Sequence, residues 1–215
     1  SSCASVIPRR RSSSASPFRA AASSSAASRT IHSSDAIPLS SRSFLCAAAA
    51  ACTQLLRTAA RTDGDLSFAS SSSEHPALAP DGRFVAFDSD ATDLVVGDTN
   101  GWLDVFVRDR LLGTTELVSL SSAGVQANCQ SGRQSISGDG RFVAFQSCST
   151  NWIPGKPLAL QDIFVRDLSL GTTVRASLSF TDGETDGESY SAALNGDGAY
   201  VAFYSNATNI QDGDV

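Results

Sequence analysis

The chain has 215 residues and a formal net charge of −6, from 16 basic and 22 acidic residues. The charge is divided, with +7 on residues 1–62 and −13 on residues 63–215, and an acidic 63–215 is the wrong sign for nucleic acid or an anionic membrane surface. No stretch has the length and apolarity of a transmembrane helix, so neither a nucleic-acid partner nor a membrane span is expected.

Residues 1–62 are rich in Ser and Ala and lack apolar periodicity. Such a composition does not offset the entropy of ordering, and most of this leader is expected to be disordered. Phe44 to Leu56 (FLCAAAAACTQLL) differs: it has the length of a secretory h-region, follows Arg42, and precedes the small residues Thr58-Ala59-Ala60. This reads as export to a periplasmic or extracellular space. An organelle transit peptide is the alternative, because the leader is also Arg- and Ser-rich and poor in acids. Arg9-Arg10-Arg11 reads as solvated charge in a low-complexity tail.

Residues 63–215 are built by repetition. DGRFVAF occurs at Asp81 to Phe87 and at Asp139 to Phe145, and DGAYVAF follows at Asp197 to Phe203, each copy shifted by 58. The same shift carries DVFVRD (Asp104 to Asp109) onto DIFVRD (Asp162 to Asp167), and Gly113-Thr114-Thr115 onto Gly171-Thr172-Thr173. A fixed period of this size marks supersecondary units that bury their apolar faces by stacking on each other.

Within one period, alternation and β-branched or aromatic content predict four strands. Strand a covers His75 to Ala79, Gln134 to Ser137 and Ser191 to Leu194; a tight Asp-Gly turn leads to strand b at Arg83 to Asp88, Arg141 to Ser147 and Tyr200 to Ser205. Strand c is Asp104 to Arg108 and Asp162 to Arg166, and after a Gly-Thr-Thr turn strand d is Thr115 to Ser121 and Thr173 to Ser179. Strand b is apolar on both faces, as expected for a sheet sandwiched between neighbours. Helix signals are absent. The predicted class is all-β: β-propeller blades of four antiparallel strands.

Cys129 and Cys148 occur in one repeat only; their equivalents are Ser71 and Asp90 before, and Gly187 and Asn206 after. A two-residue turn at Gly138-Asp139 opposes Ser137 to Gly140 and, further out on the same arms, Cys129 to Cys148. The expectation is a disulfide and hence an oxidising compartment; the other reading is two small buried thiols.

These motifs resemble the WD-like propeller repeats of TolB-type and Tricorn-type proteins, in the long-blade variety of exported bacterial repeat proteins. The resemblance covers residues 63–215 and rests on three motifs in register; the third copy departs from it with Ala199 in place of the arginine. It implies a six-bladed propeller and a role in binding proteins, peptides or glycans. At 58 residues each, residues 63–215 make about 2.6 blades, whereas closed propellers carry roughly 4 to 8. A fragment of a longer exported protein is therefore expected.

Catalytic signals are sparse. The histidines are His32 and His75, no Gly-x-Ser-x-Gly elbow is present, and Arg108-Asp109 and Arg166-Asp167 recur at one blade position and read as structural. A non-enzymatic scaffold is expected; the alternative is the non-catalytic propeller of a peptidase or glycoside-processing enzyme. Binding is expected on the rim of the long b–c and d–a loops, where the copies diverge and where Trp102, Trp152 and Lys156 lie. Calcium is the one cofactor suggested, by the oxygen-bearing Asp98, Asn100 and Asp104, with Asp182 to Gly187 a weaker second loop.

Overall fold

The structure, a computed structural model, describes residues 3–8, 71–154, 156 and 159–210. The h-region-like stretch 44–56, the expected boundary at 62/63, Arg9 to Arg11 and His32 lie outside them. Among the described residues every regular element is a strand. They are β1 (Cys3–Pro8), β2 (Ser73–Leu78), β3 (Phe84–Ser89), β4 (Asp104–Asp109), β5 (Thr114–Leu117), β6 (Ser131–Ile136), β7 (Phe142–Ser147), β8 (Asp162–Asp167), β9 (Thr172–Arg175), β10 (Ser189–Leu194) and β11 (Tyr200–Ser205).

Two four-stranded antiparallel meanders, β2-β3-β4-β5 and β6-β7-β8-β9, repeat the predicted a-b-c-d order, and a third sheet runs β1-β11-β10. These are propeller blades, in an array that does not close into a ring. Strand d is shorter than predicted. Ser119 Oγ accepts from Val105 N at 3.1 Å and donates to Asp104 Oδ1 at 2.5 Å, and Ser177 does the same for Ile163 N at 2.9 Å and Asp162 Oδ1 at 2.7 Å. A side chain replaces the backbone ladder at that point, so the strand ends.

The FVAF motif explains the stacking. Ala79, Ala86, Val105, Val107 and Val118 of the first sheet share one core with Ile136, Val143, Phe145 and Phe164 of the second, joined by the partly buried Phe84. Phe142, Ala144, Ile163 and Val165 on the opposite face of the second sheet pack on Ala192, Val201 and Phe203 of the third. Successive residues point to opposite faces, so Phe84 and Ala86 serve one joint while Val143 and Phe145 serve the same joint from the other side.

The Asp-Gly turns seat these joints. Asp81, Asp139 and Asp197 each accept the amide two residues on, from Arg83, Arg141 and Ala199, at 2.9–3.0 Å, and Gly82, Gly140 and Gly198 hold φ of 72°, 73° and 67°. Glycine is required at the last two for a second reason. A Cβ on Gly140 would lie 2.1 Å from the Phe84 ring, and one on Gly198 would lie 2.3 Å from the Phe142 ring.

The turn is longer than predicted: Ser137 N bonds Phe142 O at 2.8 Å, so Ser137 faces Phe142 rather than Gly140. A register shift between Gly132 and Ser135 then absorbs one residue. Cys129 and Cys148 lie just beyond the paired strands, joined as a disulfide with Cα atoms 5.4 Å apart.

Cys3–Pro8 is a strand that the sequence reading did not single out, within a leader expected to be mostly disordered. It pairs antiparallel with β11 from Cys3↔Ser205 to Pro8↔Tyr200, the place that β4 takes beside β3. An open strand edge recruits a partner through main-chain bonds, which need no side-chain motif.

Candidate functional site

The long loops form one surface. Gln126, in the d–a loop between the first and second sheets, accepts from Thr99 N at 3.2 Å and donates to Gly97 O, while Asn100 Nδ2 donates to Ala127 O at 3.2 Å. From the other side Asn151 Nδ2 reaches Gln126 O at 2.9 Å, Trp152 Nε1 reaches Val125 O at 3.0 Å, and Asn128 Nδ2 reaches Thr150 Oγ1 at 2.9 Å. Residues 125–128 are thus clamped between the b–c loops of two sheets. Loops fixed at both ends by side-chain bonds hold their shape before a ligand arrives, which lowers the ordering cost of binding.

Of the three expected rim residues, only Trp102 is presented to solvent, at 44% exposure. The same loops expose two apolar side chains, Val96 at 99% in the b–c loop and Val125, half-exposed, in the d–a loop. Trp152 is a correction: its ring stands edge-on to Phe164 and Phe145, with centroids 5.1 and 6.1 Å away, and its indole N–H is used by Val125. It extends the core beneath the loop. Lys156 is a second correction, since its side chain is 2% exposed and its Nζ lies 2.7 Å from Asp162 Oδ2. The loop folds the ammonium inward onto a buried carboxylate, away from any ligand on the rim.

Asp98, Asn100 and Asp104 come together. Burial pushes Asp104 up to about 6; the Ser119 hydroxyl and Asn100 side chain oppose this, and the Asp98 charge adds to it. Burial raises Asp98 as well, against the Asn100 amide. Asp98 Oδ1 and Asp104 Oδ2 are buried with no hydrogen-bond partner. Among the described residues no three His, Cys, Asp or Glu side chains converge, so two carboxylates and an amide are what the side chains offer here. The second loop is committed elsewhere: Glu184 takes two bonds from Arg175, at 2.7 and 2.9 Å, and Asp186 accepts from Thr208 N at 2.7 Å.

The Arg-Asp dipeptides do not pair internally. Asp109 is held by Arg83 Nη2 at 2.6 Å and Asp167 by Arg141 Nη2 at 2.8 Å, tying strand b to strand c. Arg166 instead spans sheets, donating to Leu120 O at 3.2 Å and Ser121 O at 3.3 Å.

One polar feature escaped the sequence reading. His75, Arg133 and Ser191 occupy equivalent positions in strand a and all have positive φ, at 46°, 51° and 53°. Each sits at a register shift, a bulge in the edge strand of its sheet. Asp88 Oδ2 accepts from Arg133 N at 3.1 Å and lies 3.0 Å from His75 Nδ1, while Gln146 Oε1 accepts from Ser191 N at 3.3 Å. The bulge recurs by position, but His, Arg and Ser share no chemistry, so no motif betrays it.

No family model matches the chain, and no curated protein matches it. Among solved structures it is similar to TolB from Acinetobacter baumannii, at 22% identity and a TM-score of 0.33 over 58% of this chain and 24% of that one. It is also similar to a putative TolB from Agrobacterium tumefaciens, at 13% identity and a TM-score of 0.37 over 57% of this chain and 33% of that one. The chain thus spans between a quarter and a third of the TolB chains it matches. Among the described residues no helix is long and apolar enough to cross a membrane.

Proposed function

We propose that residues 63–215 are a non-enzymatic propeller segment of a longer exported protein, and that it binds a protein or peptide on the surface of its b–c and d–a loops. The observation that carries this reading is Trp102, exposed on a b–c loop that Gln126 and Asn100 tie to the d–a loop, the two loops that also expose Val96 and Val125. An aromatic side chain on a preorganised, water-facing loop offers large apolar area at small entropic cost, the character of an interface anchor. The Cys129–Cys148 disulfide supports the exported setting, because such bonds persist in oxidising compartments.

A peptide-display library and a glycan array, probed with the 215-residue chain and its Trp102→Ala and Val96→Ser variants, test the reading. Peptide ligands lost in both variants are expected. The opposite rim, where Leu111, Leu112 and Leu170 are exposed in the c–d turns, serves as the control. Binding abolished by Leu111→Ser with Leu170→Ser, and indifferent to Trp102→Ala, overturns the assignment; glycan ligands with no peptide ligand replace its partner class.

A further inference from the structure

The first two sheets differ in charge at one buried point. In the second, Lys156 Nζ lies 2.7 Å from Asp162 Oδ2, with both side chains 2% exposed. The ammonium also donates to Leu160 O at 2.8 Å and Ser149 O at 3.3 Å. Arg175 Nη1 stands 3.6 Å from the same carboxylate and 2.7 Å from Glu184 Oε2. Two cations and two anions balance, and every charge has a partner.

Shifted by one period, Asp162 becomes Asp104 and Ser177 becomes Ser119, which keeps its bond to the carboxylate. Lys156 becomes Asp98, Arg175 becomes Leu117 and Glu184 becomes Gln126. The first sheet has therefore lost both cations and gained a carboxylate where the ammonium stands. Asp98 is 7% exposed and Asp104 0%. Among the described ion pairs none involves either residue. Burying two like charges without a counter-charge is strongly unfavourable, and each retains an oxygen, Asp98 Oδ1 and Asp104 Oδ2, with no donor.

We propose that Asp98 and Asp104 hold a divalent cation of the calcium class, seated in the first sheet at the position that the Lys156 ammonium fills in the second. A charge of +2 restores the neutrality that Lys156 and Arg175 give the second sheet. Hard, oxygen-only donors suit calcium, which completes its coordination with backbone carbonyls and water. The repeat indicates which carbonyls: Ala91 and Trp102 are the equivalents of Ser149 and Leu160, whose oxygens receive the ammonium. Calcium here pins the b–c loop that carries Trp102, and the site stands whatever the rim binds.

The test is thermal unfolding of the 215-residue chain near neutral pH, in a chelator and then in calcium chloride. Saturating calcium is expected to raise Tm by roughly 5–10 °C. Asp98→Lys, which copies the second sheet, is expected to melt in chelator near the calcium-loaded value and to lose the calcium response. Asp98→Asn, a milder change, is expected to need at least tenfold more calcium. An unchanged wild-type Tm at about 10 mM calcium, above the roughly millimolar constants of weak extracellular sites, overturns the proposal. So does a calcium response of wild-type size and midpoint in Asp98→Asn.

Discussion

Arg141 holds Asp167 by two points, Nε at 3.0 Å from Oδ1 and Nη2 at 2.8 Å from Oδ2, and Arg83 holds Asp109 in the same way one sheet earlier. Each arginine also lies over the following ring, Phe142 or Phe84, at 4.6 Å. The hydrogen bond from Arg83 holds Asp109 at about 2. Burial pushes Asp167 upward, but Arg141, Ser169 and the Leu170 amide outweigh it and leave it at about 2 as well. Both carboxyls are more acidic folded than unfolded, so the unfolded chain binds more protons as the pH drops. Their stabilisation is complete above about pH 4 and is lost as pH falls toward 2. Arg83→Ala with Arg141→Ala is expected to raise the acid-unfolding midpoint, followed by circular dichroism, by roughly 0.5–1 pH unit. An unmoved midpoint assigns the acid sensitivity to other carboxyls.

Gly140→Ala separates backbone strain from sheet stacking. The added methyl meets the Phe84 ring and a φ of 73°, whereas in Gly82→Ala, at φ 72°, the nearest atom is Arg110 Nη1 at 3.6 Å. Strain alone costs about 1–2 kcal/mol, and overpacking adds about 1–3 kcal/mol. Urea unfolding is expected to show Gly140→Ala as the more damaging of the two by that second amount. Equal losses would mean that the Phe84 ring moves aside freely.

The disulfide closes a sequence separation of 19, and chain-entropy arguments give a loop of that size about 3 kcal/mol. Cys129→Ser with Cys148→Ser is expected to lower the urea midpoint, and a reductant is expected to affect the parent chain alone. In the third sheet the same location is served without a covalent bond, by Glu188 N donating to Asn206 Oδ1 at 2.5 Å.

The two tryptophans are expected to respond in opposite ways. Trp152→Ala removes the ring against Phe145 and Phe164 and costs about 2–4 kcal/mol in chemical unfolding. Trp102→Ala, at an exposed loop position, is expected to change stability by less than about 0.5 kcal/mol and to be felt in binding. A large stability loss in Trp102→Ala would remove it from the candidate surface.

The blades were legible because their building residues recur. DGRFVAF and DVFVRD carry strand periodicity, turn chemistry and two-sided apolarity in one phrase, and β3, β4, β7 and β8 lie where those phrases stand. The site was legible only in part. Divergence between copies marked Lys156 as a rim residue, but divergence does not distinguish a side chain that faces solvent from one that exchanges an inward ion pair; the sign of its partner, Asp162, decides that and lies six residues away. The edge-strand bulge at His75, Arg133 and Ser191 is a backbone property shared by dissimilar residues, and β1 is recruited through main-chain bonds. Neither leaves a side-chain signature.

Phe84 over Gly140 and Phe142 over Gly198 give the stack a direction. The second sheet carries an aromatic plug, Phe142, on one face and a glycine socket, Gly140, on the other, so the joint is heterologous: it cannot be satisfied by two identical faces meeting across a two-fold axis. Units added through it follow one rotation, which either closes into a ring or continues as an open helix. Tyr200 holds the plug position of the third sheet, half-exposed, and marks the face on which that rotation proceeds.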